Sequence, residues 1–193
     1  MKPGMRSQQI ENLYVRRIDE QRLGPVNEIR GQGLPAEEFV ARFYEGISGL
    51  KVRFSTPEED KGPEIGGRQT VDLVVSFPSG KIAFATQVTS SAQKGVMEKK
   101  IKEIFDHPFV RPEGIKTQDL SIPKVLVSLD AGQVKDFFTN PNMKQHPEML
   151  LKVIDNHITS LTFALSQTRY LPQQKEVQEL IRIFTEEKKR YSH

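Results

Sequence analysis

Thr70-Val-Asp-Leu-Val-Val-Ser-Phe77 and Lys81-Ile-Ala-Phe-Ala-Thr-Gln-Val-Thr89, joined through Pro78-Ser79-Gly80, decide how this chain folds. Both runs are rich in β-branched and aromatic residues, and the Phe-Pro-Ser-Gly-Lys join favours a tight reversal. A two-residue Ser79-Gly80 loop flanked by Pro78 and Lys81 makes cross-strand partners sum to 159, which sets Asp72 opposite Gln87. Side chains repeat every second residue along a strand, so Gln87 and Thr89 share a face. An acid, an amide and a hydroxyl then meet at one end of a hairpin that is otherwise apolar. Asp72 is the only charge between Val71 and Phe77. A bare carboxylate beside a hydrophobic strand is costly unless it is paired, hydrogen-bonded or metal-bound.

Upstream of the hairpin, residues 1–30 are polar and mixed in charge, with Ile10, Leu13, Tyr14 and Ile18 at the spacing of a short amphipathic helix. Gly31-Gln-Gly-Leu-Pro35 breaks the chain. A helix is expected from about Ala36 to Ser48, with Phe39, Val40, Phe43, Tyr44 and Ile47 as its apolar stripe and Pro35 suited to its first turn. Leu50-Lys-Val-Arg-Phe-Ser55 alternates and predicts a strand, and residues 57–69 predict a polar loop. Downstream, Ser90 or Ser91 suits the cap of a helix reaching about Phe105, with Val96, Met97, Ile101, Ile104 and Phe105 expected inside. Residues 106–120 predict a loop, and Ile122-Pro-Lys-Val-Leu-Val-Ser-Leu129 predicts a strand buried on both faces. Helices are expected at 133–139, 147–166 and 173–190. The order is helix, three strands, helix, strand, then helices, which predicts an α/β fold around a central mixed sheet. Three segments follow: a polar or helical arm (1–35), an α/β core (36–130) and a C-terminal helical extension (131–193).

Composition narrows the function. The chain has 193 residues, of which 36% are hydrophobic and 27% charged, as suits a soluble globule of ordinary domain size. There is no cysteine, so disulfide frameworks and thiolate metal sites are excluded. No window approaches the roughly 20 apolar residues of a membrane span, and the amino terminus lacks the apolar stretch of a secretory signal. A cytoplasmic protein without a membrane partner is the expectation. The net charge of +3 permits a polyanionic partner without demanding one. His107, His146 and His157 have no paired ligand spacing, and His157 is expected to pack on its helix. Phosphate-binding glycine loops, dinucleotide fingerprints and the Gly-x-Ser-x-Gly elbow are absent.

The element order, with Gln69-Thr-Val-Asp72-Leu-Val-Val and Gln87-Val-Thr89 fifteen residues further on, resembles the PD-(D/E)XK nuclease superfamily, across about residues 36–130. This is the restriction endonuclease-like core shared with Holliday junction resolvases. The resemblance implies that Asp72, at the start of the second core strand, binds a divalent metal, Mg2+ or Mn2+. The third-strand motif falls on Gln87 and Thr89, where Gln stands for the usual acid and Thr for the usual Lys. Glu37 or Glu38 stands where the first-helix Glu of the family would be. A Gln carbonyl still offers an oxygen to a hard cation, although it brings no charge. Because Thr89 has no ammonium, the resemblance shifts that role to the next helix, where Lys94, Lys99 and Lys100 are candidates. Lys94 and Lys100 lie nearer the apolar stripe than Lys102, and Lys99 is assigned to nucleic-acid contact.

The resemblance therefore implies metal-dependent hydrolysis of phosphodiester bonds in DNA. Its metal ligands would be Asp72, Gln87 and Glu37 or Glu38, with Thr89, Lys94 and Lys100 completing the reactive group. Arg68 would meet a phosphate or decorate its loop. Two other readings stay open. The altered third-strand motif fits a catalytically inactive relative that binds nucleic acid or protein, and an unrelated α/β interaction domain would share only the element order. A homodimer is consistent with the family. The C-terminal apolar stripe of Leu150, Leu151, Ile154, Ile158, Leu161, Phe163 and Leu165 fits packing on the sheet or on a second copy.

Overall fold

The computed structural model describes residues 33–47, 49–55, 71–90, 94–110, 121–140, 142–169 and 171–192. The described side chains are those of the same residues apart from 33–35, 94, 96, 97, 138 and 171. The expected helix at 1–30 and the whole polar loop at 57–69, Arg68 included, lie outside the described residues. In chain order the elements are α1 (Gly33–Gly46), β1 (Lys51–Phe54), β2 (Leu73–Ser76), β3 (Ile82–Thr89), α2 (Lys94–Asp106), β4 (Phe109–Val110), β5 (Ile122–Ser128), α3 (Ala131–Thr139), α4 (Pro147–Gln167) and α5 (Leu171–Tyr191). One turn of 3-10 helix, Met143–Gln145, precedes α4. The five strands form one mixed sheet in the order β1-β2-β3-β5-β4. β1, β2 and β3 make an antiparallel meander, and β5 returns parallel to β3 after α2.

The hairpin reaches its register by a different route from the two-residue loop that the sequence suggests. The turn holds three residues, Pro78, Ser79 and Gly80: Phe77 N–H donates to Lys81 O (2.8 Å) and Gly80 N–H to Phe77 O (2.9 Å). Gly80 sits at φ +88°, in the left-handed region that a side chain would strain. Next to the turn, Ser76 pairs with Ile82, a sum of 158. The register then shifts between Val75 and Ser76, with Ala83 as the extra residue of a bulge, and Val75↔Phe84, Val74↔Ala85 and Leu73↔Thr86 sum to 159. The longer turn and the bulge cancel, so the far end of the hairpin keeps the expected alignment.

The two faces of the sheet differ. Leu73, Val75, Phe84 and Val88 face the main core, which they share with Phe39, Phe43 and Tyr44 of α1, Val134 and Phe137 of α3, Val153, Ile154 and Leu161 of α4, and Val177, Leu180 and Phe184 of α5. Of the C-terminal stripe, Leu150, Ile154 and Leu161, with Ile158 and Leu165 partly buried beside them, pack in this core of their own chain, and Phe163 meets Phe105 of α2. The opposite face carries a smaller cluster of Val71, Val74, Ala85, Val110 and Ile122. α2 accompanies this second face, where Glu103 meets the Lys124 side chain of β5. Its rotation differs from the expectation: Ile104 is buried, but Ile101 and Phe105 are 41% and 53% exposed. The inward line of α2 contains Glu103 and Ile104 because a lysine on the sheet beneath requires a carboxylate above it.

β4 is a two-residue strand inside the expected 106–120 loop, and it pairs only with Ile122 and Pro123 of β5. The outer amides of β5 are therefore satisfied piecemeal. Lys124 N–H donates to Pro108 O (2.9 Å), Leu126 N–H to Ser160 Oγ (3.3 Å) and Ser128 N–H to Asn156 Oδ1 (2.7 Å). Asn156 and Ser160 lie one helical turn apart on α4, which is why a single helix face can serve two alternate strand positions.

Candidate functional site

Asp72 lies just before β2, and its backbone and side chain both engage β3. Its amide donates to Thr86 O (2.9 Å), and its carboxylate Oδ2 accepts from Val88 N–H (2.6 Å). Asp72 thereby straddles Gln87, the residue that the sequence reading set opposite it. A carboxylate that takes a strand amide also ends the β2–β3 ladder neatly, so part of the role of Asp72 is structural. Gln87 is 2% exposed and pairs in register with Leu126 of β5. Thr89, also buried, pairs with Ser128. By alternation, Ala85, Gln87 and Thr89 share the second face of the sheet.

The sequence reading missed the residue at the centre of this face. Val74, Ala85 and Lys124 form one row across three strands. The small Ala85 leaves space for the lysine stem. Lys124 is 0% exposed, and its Nζ donates to Glu103 Oε1 at 2.5 Å. Burial lowers the Lys124 pKa from its ordinary value; the Glu103 carboxylate and then the Asp72 charge oppose that shift, and Lys100 reinforces it. Four charged groups, Asp72, Lys100, Glu103 and Lys124, therefore interact on one face beside Gln87. The signal was present in Ile122-Pro-Lys-Val-Leu-Val: a lysine in a strand buried on both sides must have an acid partner.

The other expected site residues are distributed as follows. Lys100 is half-buried and within electrostatic reach of Lys124, whereas Lys99 and Lys102 are exposed. Lys94 opens α2, and its side chain lies outside the described residues, as does all of Arg68. Glu37 is buried on α1 just past its first turn, and Glu38 forms an ion pair with Arg42 one turn along the same helix. The apolar stripe of α1 covers the face of the sheet opposite Lys124. Among the described residues no three His, Cys, Asp or Glu side chains gather as a metal-binding group.

The main core contains a second polar group. Tyr44 Oη, Thr86 Oγ1 and His157 are fully buried, with Tyr44–Thr86 at 2.7 Å and Tyr44–His157 Nε2 at 2.5 Å. His157 Nδ1 bonds the Val153 carbonyl at 2.6 Å, so it must donate and Nε2 must accept from the Tyr44 hydroxyl. The Tyr44 oxygen then accepts from Thr86. Burial pushes the His157 pKa down to about 3 and raises that of Tyr44, so both are neutral at physiological pH. His157 stacks on Phe184 with ring centroids 4.2 Å apart. The expectation that His157 packs on its helix holds, but the hydrogen-bonded chain to Thr86 on the other side of the core was not foreseen. Enclosed and neutral, this group belongs to folding rather than to chemistry.

No family model matches the chain, and neither a curated protein nor a solved structure matches it.

Proposed function

We propose that this chain is a restriction endonuclease-like, metal-dependent nuclease that hydrolyses phosphodiester bonds in DNA. The observation that carries the reading is the placement of Asp72, Gln87 and the fully buried Lys124 on one face of three adjacent strands. The order of elements also supports it: a helix, a three-strand meander, a second helix and a strand parallel to the third. The donor chemistry fits Mg2+ or Mn2+. A carboxylate and an amide carbonyl are hard oxygen donors, and Mg2+ commonly retains waters and uses substrate phosphate oxygens beyond one or two carboxylates.

In this reading Asp72 anchors the cation, and Gln87 adds a neutral oxygen. With the ion bound, the site gains a Lewis acid for the phosphoryl oxygen and a more acidic water. Lys124 supplies the ammonium absent at Thr89 and stabilises charge that develops on the phosphate. It does so best from a water-poor setting, where an oriented charge acts most strongly. Lys99 and Lys102, exposed on α2, contribute favourable electrostatics for a polyanion.

Two hydrogen bonds favour a second reading. Asp72 already accepts the Val88 amide and Lys124 already holds Glu103, so the same residues also suit an inactive module that binds nucleic acid or protein. Nicking of supercoiled plasmid with Mg2+ or Mn2+, beside EDTA and Asp72→Ala controls, separates the two. The nuclease reading expects cleavage in wild type and none in either control. Plasmid and branched DNA left intact by wild type, with binding indifferent to EDTA, would favour the module.

A further inference from the structure

The charge at this face is short by one acid if only Asp72 and Gln87 hold a cation. A second carboxylate tied to the same group of charges is Glu103, which is not on the sheet but on α2. Its partner Lys124 is 0% exposed, whereas Glu103 itself is 23% exposed. The lysine is thus enclosed against the sheet, and the carboxylate is the half of the pair that reaches solvent. α2 is also held at its far end, where Phe105 packs edge-to-face on Phe163 of α4 with ring centroids 4.5 Å apart, so the movement required is that of the Glu103 side chain and not of the helix. A cation arriving beside Asp72 repels the Lys124 ammonium and attracts the Glu103 carboxylate, so both forces act to part the pair.

We propose that Glu103 is a second carboxylate ligand of the divalent ion, stored against Lys124 and transferred to the ion when it binds. The transfer restores a two-carboxylate site in place of the charge lost at Gln87. It also frees Lys124 to face a substrate phosphate, so one movement prepares the cation and the ammonium together. The inference rests on the metal-dependent reading above.

The test is Mn2+ affinity of the full-length protein, measured by electron paramagnetic resonance without substrate, with thermal melting as the folding control. Lys124→Met leaves Glu103 without its competitor and is expected to bind Mn2+ severalfold more tightly than wild type. Adding Glu103→Gln to Lys124→Met removes the acid without stranding a buried ammonium, and is expected to weaken Mn2+ about tenfold relative to Lys124→Met alone. Should Lys124→Met fail to fold, Lys124→Gln replaces it in both comparisons. Equal Mn2+ affinity with and without Glu103, while Asp72→Asn abolishes binding, would overturn the role of Glu103 and leave the metal site standing. Mn2+ binding absent in wild type, or unaffected by Asp72→Asn, would overturn the metal-dependent reading and this inference with it.

Discussion

Lys124 and His157 show opposite ways of burying an ionisable side chain. Lys124 keeps a carboxylate partner, so losing one member of the pair matters more than losing both. Glu103→Gln is expected to destabilise the protein by roughly 2 kcal/mol or more in urea denaturation, because it strands a buried ammonium. Replacing both, with Lys124→Met and Glu103→Gln together, is expected to be near neutral or stabilising in the same assay, since the strand is otherwise apolar. His157 is instead buried neutral, with its pKa lowered by burial from 6.5 to about 3. Its unfolded form takes up a proton below pH 6.5 while its folded form does not. The stability it contributes is therefore intact above pH 6.5 and is lost progressively as pH falls toward 3. The loss amounts to about 1.4 kcal/mol for each pH unit in that window. Urea midpoints measured from pH 7 to pH 4 should fall in wild type, and His157→Gln should flatten that decline while lowering the plateau.

Among the elements, α4 performs a task that β4 is too short to complete. With only Phe109 and Val110 in β4, the amides of Leu126 and Ser128 are satisfied by Ser160 and Asn156. Ser160→Ala and Asn156→Ala are each expected to cost about 1–3 kcal/mol, because a strand amide loses its partner. Amide exchange should accelerate most at Leu126 in the first variant and at Ser128 in the second. The helix and strand assignments were largely visible beforehand. The apolar stripe Phe39, Val40, Phe43, Tyr44 repeats with helical period, and α1, α4 and α5 lie within a few residues of expectation. β4 was hidden because two residues carry no period. The rotation of α2 was hidden because Ile101 and Phe105 fit an apolar stripe equally well, and only the lysine on β5 selects Glu103 for the inner face.

At the scale of the whole molecule, the two C-terminal helices are an integral part of the core. α5 buries Val177, Leu180 and Phe184 against the cluster formed by α1 and the sheet. Each such side chain contributes about 1.5–3 kcal/mol on burial, so together they rival the roughly 5–15 kcal/mol that holds a typical domain folded. Deleting residues 170–193 is expected to abolish the cooperative urea transition followed by circular dichroism, and a retained sharp transition would show that the sheet stands without α5. Both faces of the sheet also depend on this assembly: one is sealed by α1, α4 and α5, and the other carries the charged group at Asp72 and Lys124. The amino-acid sequence by itself determined the order of elements, the mixed α/β class and the neighbourhood of Asp72 and Gln87. These follow from periodicity and from pairing across a short turn, both of which act over a few residues. Only the tertiary structure decided that Lys124 and Glu103 join that neighbourhood and that His157 closes a chain to Thr86. Those contacts link residues from separate elements, and they exist because a packed interior admits charge and polarity only where a partner from another element meets it.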